Sequence, residues 1–294
     1  MDNQISGGEI SNSVQAGAVY GGIHIGQDSL LNFPERYLEA SKLLANDRPQ
    51  ARTAALRTLM MLGQDHPSHR QTVVDELCGY LRLPLPDGDP VESHVRETAW
   101  RLLATHLRPR RRDVPEDPNP NFWPGMSVDL VGADLKHVNF AGCEFFRADF
   151  SMSKLPLARF RGAKFSKRAM FHGAKFSLAD FEDAEFEHTA AFSGSIFESR
   201  SSFKGARFRS NVHFEQVIFK SAVEFMKMEA VCAFFAEAQF WGDADFDGSR
   251  IENSLWRETA FIYGAACRNF TLDGKSSIDP SVPGDLVICS LEHL

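Results

Sequence analysis

The stretch LVGADLKHVNFAGCEFFRADF, from Leu130 to Phe150, repeats a large apolar residue at every fifth position. These positions hold Leu130, Leu135, Phe140, Phe145 and Phe150, and a small or β-branched residue stands two positions before each. A period of five fits neither a helix nor a flat strand. It predicts a chain that points two of every five side chains inward and turns a corner after each unit.

The repeat continues far beyond this stretch, with steps that vary between five and six residues. We count 27 units from Leu130 to Ala266. Four units would close one square coil, and nearly seven coils stacked at ~4.8 Å form a rod about 30 Å long. Each extra residue is predicted to bulge at a corner. Ala230 and Ala266 at central positions, and the large Met228 at a small position, predict local irregularity near residues 226–232.

These units resemble the pentapeptide-repeat family, A(D/N)LXX in outline, with Phe largely replacing Leu. The resemblance covers about half of the chain, residues 127–266. It implies a mainly β fold, a right-handed quadrilateral parallel β-helix. Within such a fold each Phe packs in the core, where its burial contributes ~1.5–3 kcal/mol, and carries no chemistry.

Residues 31–108 have the apolar periodicity of helices. Four segments begin near a proline: Pro34, Pro49, Pro67 and Pro90. Proline suits the first turn of a helix because its missing N–H needs no partner there. With Gly63 and the pair Pro84/Pro86 as helix stops, the pattern predicts a small α-helical domain, HEAT-like or a helical hairpin. Its small core is expected to dock on the rod.

Two further segments flank the repeat. Residues 109–126 are predicted to form a Pro-rich, semi-rigid linker, and residues 267–294 a C-terminal cap or tail that includes the apolar run Leu286–Cys289. Four arginines cluster at the start of the linker: Arg108, Arg110, Arg111 and Arg112. They could bind nucleic acid or an anionic partner, but charge patterning favours solvated side chains paired with Asp113, Glu116 and Asp117.

Composition indicates a cytoplasmic protein. A net charge of −7 argues against a general nucleic-acid binder. No apolar run is long enough to span a membrane, and the N-terminus lacks the features of a signal peptide. Five scattered cysteines without a C-x-x-C pair favour reduced thiols over a disulfide framework or a zinc site. They are Cys78, Cys143, Cys232, Cys267 and Cys289.

The sequence contains few residues in patterns typical of catalytic, metal or phosphate-binding sites. DGKSS at residues 273–277 lacks the first glycine of a phosphate loop, since Asn269 stands in its place. His66 and His69 have no evident third metal ligand, and Glu185, Glu187 and His188 are expected to face solvent. We therefore predict a non-enzymatic protein with no catalytic residue, metal, cofactor or small-molecule substrate.

The N-terminal segment, residues 1–30, differs from everything that follows. ISGGEISNSVQAGAVYGGIHI, from Ile5 to Ile25, has one charged residue, no proline and five glycines. Short β-prone segments with little charge favour stacking into cross-β ladders. Because the segment is too short to form a core alone, a second copy is its natural partner.

This segment resembles bacterial amyloid-signalling motifs related to the homotypic interaction motif of animal receptor-interacting kinases. The resemblance implies self-association and recruitment by an NLR-like NTPase that carries a matching copy. It rests on Val14, Gln15, Ala16, Gly17, Val19, Gly21, Gly22, Ile23, His24 and Ile25.

Two functions are therefore open. The first is a signalling adaptor that is recruited through its N-terminal segment and whose β-helix is a protein-interaction surface. The alternative is a DNA-mimicking pentapeptide protein that binds a type II topoisomerase, which would need a continuous acidic stripe. The interspersed Lys and Arg of the repeat argue against the alternative.

Overall fold

The fold, taken from a computed structural model, is described for residues 32–85, 89–110, 117–272 and 276–278. In these ranges four α-helices precede a parallel β-solenoid of about seven turns, as the five-residue period predicts. The helices are α1 (Phe33–Leu44), α2 (Pro49–Asp65), α3 (Arg70–Arg82) and α4 (Pro90–Leu107), with a 3-10 turn at Pro67–His69.

The helix starts follow the prolines, as predicted. Pro34, Pro49, Pro67 and Pro90 each lie in the first turn of a helical element. The carboxylate of Asp89 accepts hydrogen bonds from the amides of Val91 and Glu92, which satisfies two amides at the start of α4. The prediction that Gly63 stops a helix is wrong, because Gly63 lies inside α2 and is buried there.

The 24 short strands in the described ranges form four faces, numbered in chain order. Face 1 holds Ser127–Asp129, Arg147–Asp149, Ala169–Met170, Ala190–Ala191 and Ser276–Ile278. Face 2 holds Lys154–Leu155, Lys175–Phe176, Ile196–Phe197, Ile218–Phe219, Gln239–Phe240 and Ala260–Phe261. Face 3 holds Ala158–Arg159, Ala179–Asp180, Ser201–Ser202, Val223–Glu224, Ala244–Asp245 and Ala265–Ala266. Face 4 holds Glu144–Phe145, Lys164–Phe165, Glu185–Phe186 and Thr271–Leu272. Three longer strands turn the corner from face 4 to face 1: Arg207–His213, Glu229–Phe234 and Arg250–Trp256.

The rod core is a set of stacked phenylalanine rings. Phe181 lies between Phe160 and Phe203, with ring centroids 4.9 and 5.0 Å apart and nearly parallel planes. It meets Phe192 edge-on at 5.4 Å, so each ring has stacked and T-shaped neighbours. The central Phe residues of the repeat are buried, which confirms their predicted role in packing.

The extra residue of a six-residue step lies at a corner between two faces. Phe208 pairs with Ala230 and Asn211 pairs with Cys232, so the register shifts by one residue at the corner between faces 4 and 1. This bulge confirms the predicted place for an extra residue. In the same coil the large Met228 and the small Ala230 are both buried.

The last coil departs from the predicted register. Ala244 pairs with Ala265 and Asp245 with Ala266, which places Cys267, not Ala266, opposite the central Phe246. Cys267 is buried and Ala266 is exposed. The step from Phe261 is therefore six residues, and the prediction of a central Ala266 is wrong. Strand pairing continues to Ile278.

The helical domain covers the first coil, as predicted. The side-chain amide of Gln71 donates to the carbonyl of Ser127 at 2.9 Å and accepts from its amide at 2.9 Å. Gln71 thus makes the bonds that a preceding strand would make, and it protects an open sheet edge.

Three arginines of the helical domain complete this cover. Each donates to a first-coil carbonyl on a different face: Arg82 to Asp129 (3.2 Å), Arg96 to Asp134 (3.4 Å) and Arg108 to Ala141 (2.9 Å). Burial lowers the pKa of Arg96, which also donates to the carbonyl of Leu83 at the end of α3. The prediction of a solvated Arg108 is wrong, because its guanidinium is bound to the rod.

The described part of the predicted linker packs on the helices. Trp123 is fully buried, and its indole N–H donates to the side-chain oxygen of Gln64 at 2.8 Å. Its ring lies 4.0 Å from that of His106 and directly over Gly63. One core therefore continues from the helices through Trp123 into the rod.

Candidate functional site

The predicted homotypic-interaction residues lie outside the described residues. They are Val14, Gln15, Ala16, Gly17, Val19, Gly21, Gly22, Ile23, His24 and Ile25. The run Leu286–Cys289 and the first three residues of DGKSS also lie outside them. The candidate sites described below therefore belong to the helices and the rod.

Outward charges on face 4 alternate in sign from coil to coil. The residue before each central position is, in order, Glu144, Lys164, Glu185, Arg207, Glu229 and Arg250. Arg207 lies 3.1 Å from Glu185 and 3.8 Å from Glu229, and Lys164 lies 2.9 Å from Glu187. The outward placement of Glu185 and Glu187 is confirmed. Face 4 carries a ladder of ion pairs and no continuous acidic stripe.

One serine, one histidine and one glutamate meet outside face 1. Ser193 Oγ donates to Glu215 Oε2 at 2.9 Å, and His213 Nδ1 lies 2.8 Å from Glu215 Oε1. Burial raises the pKa of Glu215, but the hydrogen bonds from His213 and Ser193 outweigh it, so the pKa lies below its ordinary value. The glutamate stands between the other two groups. Ser193 therefore has no histidine base, and the cluster lacks the order of a hydrolytic triad.

The described cysteines offer no reactive thiolate pair. Burial raises the pKa of Cys78 and of Cys143 to about 12, which keeps both as inert thiols. Cys232 is free and half-buried. Cys267 is disulfide-bonded, so the expectation of reduced cysteines is wrong at this position.

Neither a metal site nor a membrane-spanning helix occurs in the described residues. The described residues contain no group of three His, Cys, Asp or Glu side chains that could hold a metal ion. His66 and His69 pack on Phe33, with the His69 ring 3.9 Å from the Phe33 ring. In the part of the chain that the structure describes, no helix has both the length and the apolar surface to cross a bilayer.

An exposed apolar patch on the last coils was not predicted. Trp241, Ile262 and Tyr263 are 44%, 61% and 75% exposed. Trp241 and Ile262 each follow a central Phe of face 2, Phe240 and Phe261, which pair in register. The repeat phase already places both side chains outward, so the signal was present in the sequence.

Two segments match family models. Residues 126–162 match a model described as "Pentapeptide repeats (8 copies)", and residues 181–226 match one described as "Pentapeptide repeats (9 copies)". The matches confirm that the repeat segment consists of pentapeptide repeats. A comparison with curated proteins finds no match.

Proposed function

We propose that this pentapeptide-repeat protein is a non-enzymatic adaptor, in which the N-terminal segment recruits the protein and the β-helix is a surface for protein partners. The single observation that carries the proposal is the continuous core, which joins the helices and the rod into one scaffold. A pentapeptide-repeat β-helix of this kind is typically non-catalytic, and it commonly serves protein interaction.

The geometry of the rod supports an interaction role over catalysis. Inward positions are filled mainly by Phe and small residues, and buried hydroxyls such as those of Ser195 and Thr259 donate to backbone carbonyls of the rod. Outward positions carry short-range ion pairs such as Arg161 with Glu182 at 3.0 Å. Exposed ion pairs add little stability, so their side chains are free to exchange partners at an interface.

The recruiting element is the N-terminal motif around Gln15, with a partner such as an NLR-like NTPase that bears a matching copy. This part of the proposal rests on the sequence of residues 13–26. The N-terminal segment precedes α1 in the chain. The side chain of Asn32 accepts a hydrogen bond from the amide of Glu35 and so caps the start of that helix. Cross-β pairing of the tail would therefore leave the rod folded and displayed beside the assembly.

The test compares two triple substitutions in the full chain. Gln15-Ala16-Gly17→Asp-Pro-Asp disrupts the motif centre, and Gln27-Asp28-Ser29→Asp-Pro-Asp is the matched control outside it. Both variants should melt like the unsubstituted protein by circular dichroism. Only the first should lose thioflavin-positive assembly and seeding by a peptide of residues 1–27. Unchanged assembly of the first variant would refute recruitment through the motif.

The charges of face 4 argue against the topoisomerase alternative. A DNA mimic needs a long anionic face, whereas face 4 alternates acids and bases over six coils, from Glu144 to Arg250. The ion pairs of Arg207 with both neighbouring glutamates neutralise that face.

A further inference from the structure

A basic groove lies where the helices meet the rod. A cavity of about 540 Å³ opens between α4 and face 3, and a cavity of about 450 Å³ lies beside it along face 3. Both are lined by Arg108, Asn139 and Arg159, so they form one groove. We call it the junction groove.

The junction groove concentrates positive charge. Its lining includes two carboxylates, Glu97 and Asp180, and five arginines: Arg101, Arg108, Arg110, Arg159 and Arg161. Glu97 is already bound to Arg101 at 2.6 Å, Arg161 is bound to Glu182 at 3.0 Å, and Arg110 also has a partner. Asp180 accepts the backbone amide of Glu182 at 3.0 Å. An excess of arginines in a chain of net charge −7 is a local departure from the rest of the protein.

Two of these guanidinium groups differ in how they are held. Arg108 is fixed, because it donates to the carbonyls of Ala141 at 2.9 Å and Asn139 at 3.4 Å. Arg159 pairs through its backbone with Asn139, so it lies one coil above the fixed guanidinium. Among the described residues, the Arg159 guanidinium has no hydrogen bond or ion pair, and its in-register neighbour on the next coil is Asp180. A fixed and an unpaired guanidinium in one cavity suit a bidentate anion.

A second cavity that is lined by arginines has a smaller excess of positive charge. A cavity of about 370 Å³ on face 4 also contains three arginines, Arg207, Arg209 and Arg250. Its lining includes Glu229 and Glu252, and Arg207 pairs with Glu229 and Glu185. The lining of that cavity holds one arginine more than it holds carboxylates, whereas the lining of the junction groove holds three more.

We infer that the junction groove binds a compact, phosphate-bearing anion. Guanidinium forks match phosphate oxygens, and several forks in one cavity favour a ligand with more than one phosphate. A long polyanion is disfavoured, because the in-register column above Arg159 on face 3 includes Asp180 and Asp245, which repel a continuing chain of phosphates. This site goes beyond the adaptor function and does not depend on it.

The experiment measures binding of inorganic tripolyphosphate by calorimetry. The protein carries Gln15-Ala16-Gly17→Asp-Pro-Asp in every sample, so self-association cannot compete and the outcome is independent of the proposed recruitment. Arg159→Gln is the test variant, and Arg209→Gln on face 4 is the matched control. Both positions face outward, and melting by circular dichroism checks that each variant folds.

Saturable binding should weaken at least about tenfold in Arg159→Gln, the loss expected for one charge-assisted contact. It should remain within about twofold in Arg209→Gln, which lies outside the groove. Citrate and a short DNA duplex serve as competitors, and both should displace tripolyphosphate poorly. The inference is overturned by an absence of saturable binding, by equal losses in both variants, or by tighter binding of citrate or DNA.

Discussion

Replacement of Gly63 by alanine tests how the linker is held. Gly63 lies inside α2, and a Cβ atom placed on it would stand 2.4 Å from Cη2 of Trp123 and 3.0 Å from Cζ2. The indole cannot simply move away, because it is fully buried, donates to Gln64 and packs on His106. Ala at this position must therefore displace part of the core.

The magnitude follows from two opposing terms. Helix propensity alone favours Ala over Gly by about 1 kcal/mol. Overpacking of a tight core costs up to about 3 kcal/mol, so Gly63→Ala should lower the free energy of unfolding by up to about 2 kcal/mol. Gly79 in α3 is the matched control, because nothing lies within 4 Å of a Cβ placed there. Gly79→Ala should raise the free energy of unfolding by about 0.5–1 kcal/mol.

Urea unfolding, followed by the helical circular dichroism signal, measures both variants. The same substitution in a Trp123→Leu protein identifies the cause. There Gly63→Ala should lower the free energy of unfolding far less, because the clashing ring atoms are absent. A Gly63→Ala protein as stable as the Gly79→Ala protein would refute the packing argument. An equal cost in the Trp123→Leu background would show that the clash lies elsewhere.

Two other predictions concern the rod and the helical domain. Ala184→Arg should abolish cooperative melting, because Ala184 is fully buried. The control Glu185→Arg replaces an outward side chain and should change the free energy of unfolding by no more than about 1 kcal/mol. Equal melting of the two variants would contradict the assignment of inward and outward positions. Burial lowers the pKa of His106, which lies 2.7 Å from the carbonyl of Asn121. The unfolded chain then takes up a proton first as pH falls below about 6.5, so stability is complete above that pH and is lost below it. His106→Gln should flatten this slope in urea titrations, and an unchanged slope would contradict the assignment.

Local pattern was sufficient for the architecture. Every coil of the rod requires the same spacing of inward side chains, so the five-residue period is visible in the sequence. The position of a residue within its repeat therefore predicts that Phe181 points inward and Glu185 outward, without knowledge of distant contacts. The prolines of the helical domain act over a single turn, and they mark helix starts for the same reason. The predicted inward position was wrong where one extra residue shifted the register, as at Cys267.

The site was less accessible to sequence reasoning. The motif around Gln15 remains a prediction drawn from residue pattern alone. The junction groove needs Arg101 of α4 beside Arg159 of the second coil, and nothing local to either residue indicates that they share a cavity.

The sequence by itself determined the elements of this protein, namely four helices and a stack of pentapeptide coils, because both depend on side chains a few residues apart. Only the tertiary structure decided what lies between those elements. In the folded protein Trp123 packs directly over Gly63, which does not end its helix. The guanidinium of Arg108 binds the first coil instead of facing solvent. The physical reason is that docking follows from complementary shape and unpaired backbone groups at two surfaces, and these exist only after each domain has folded.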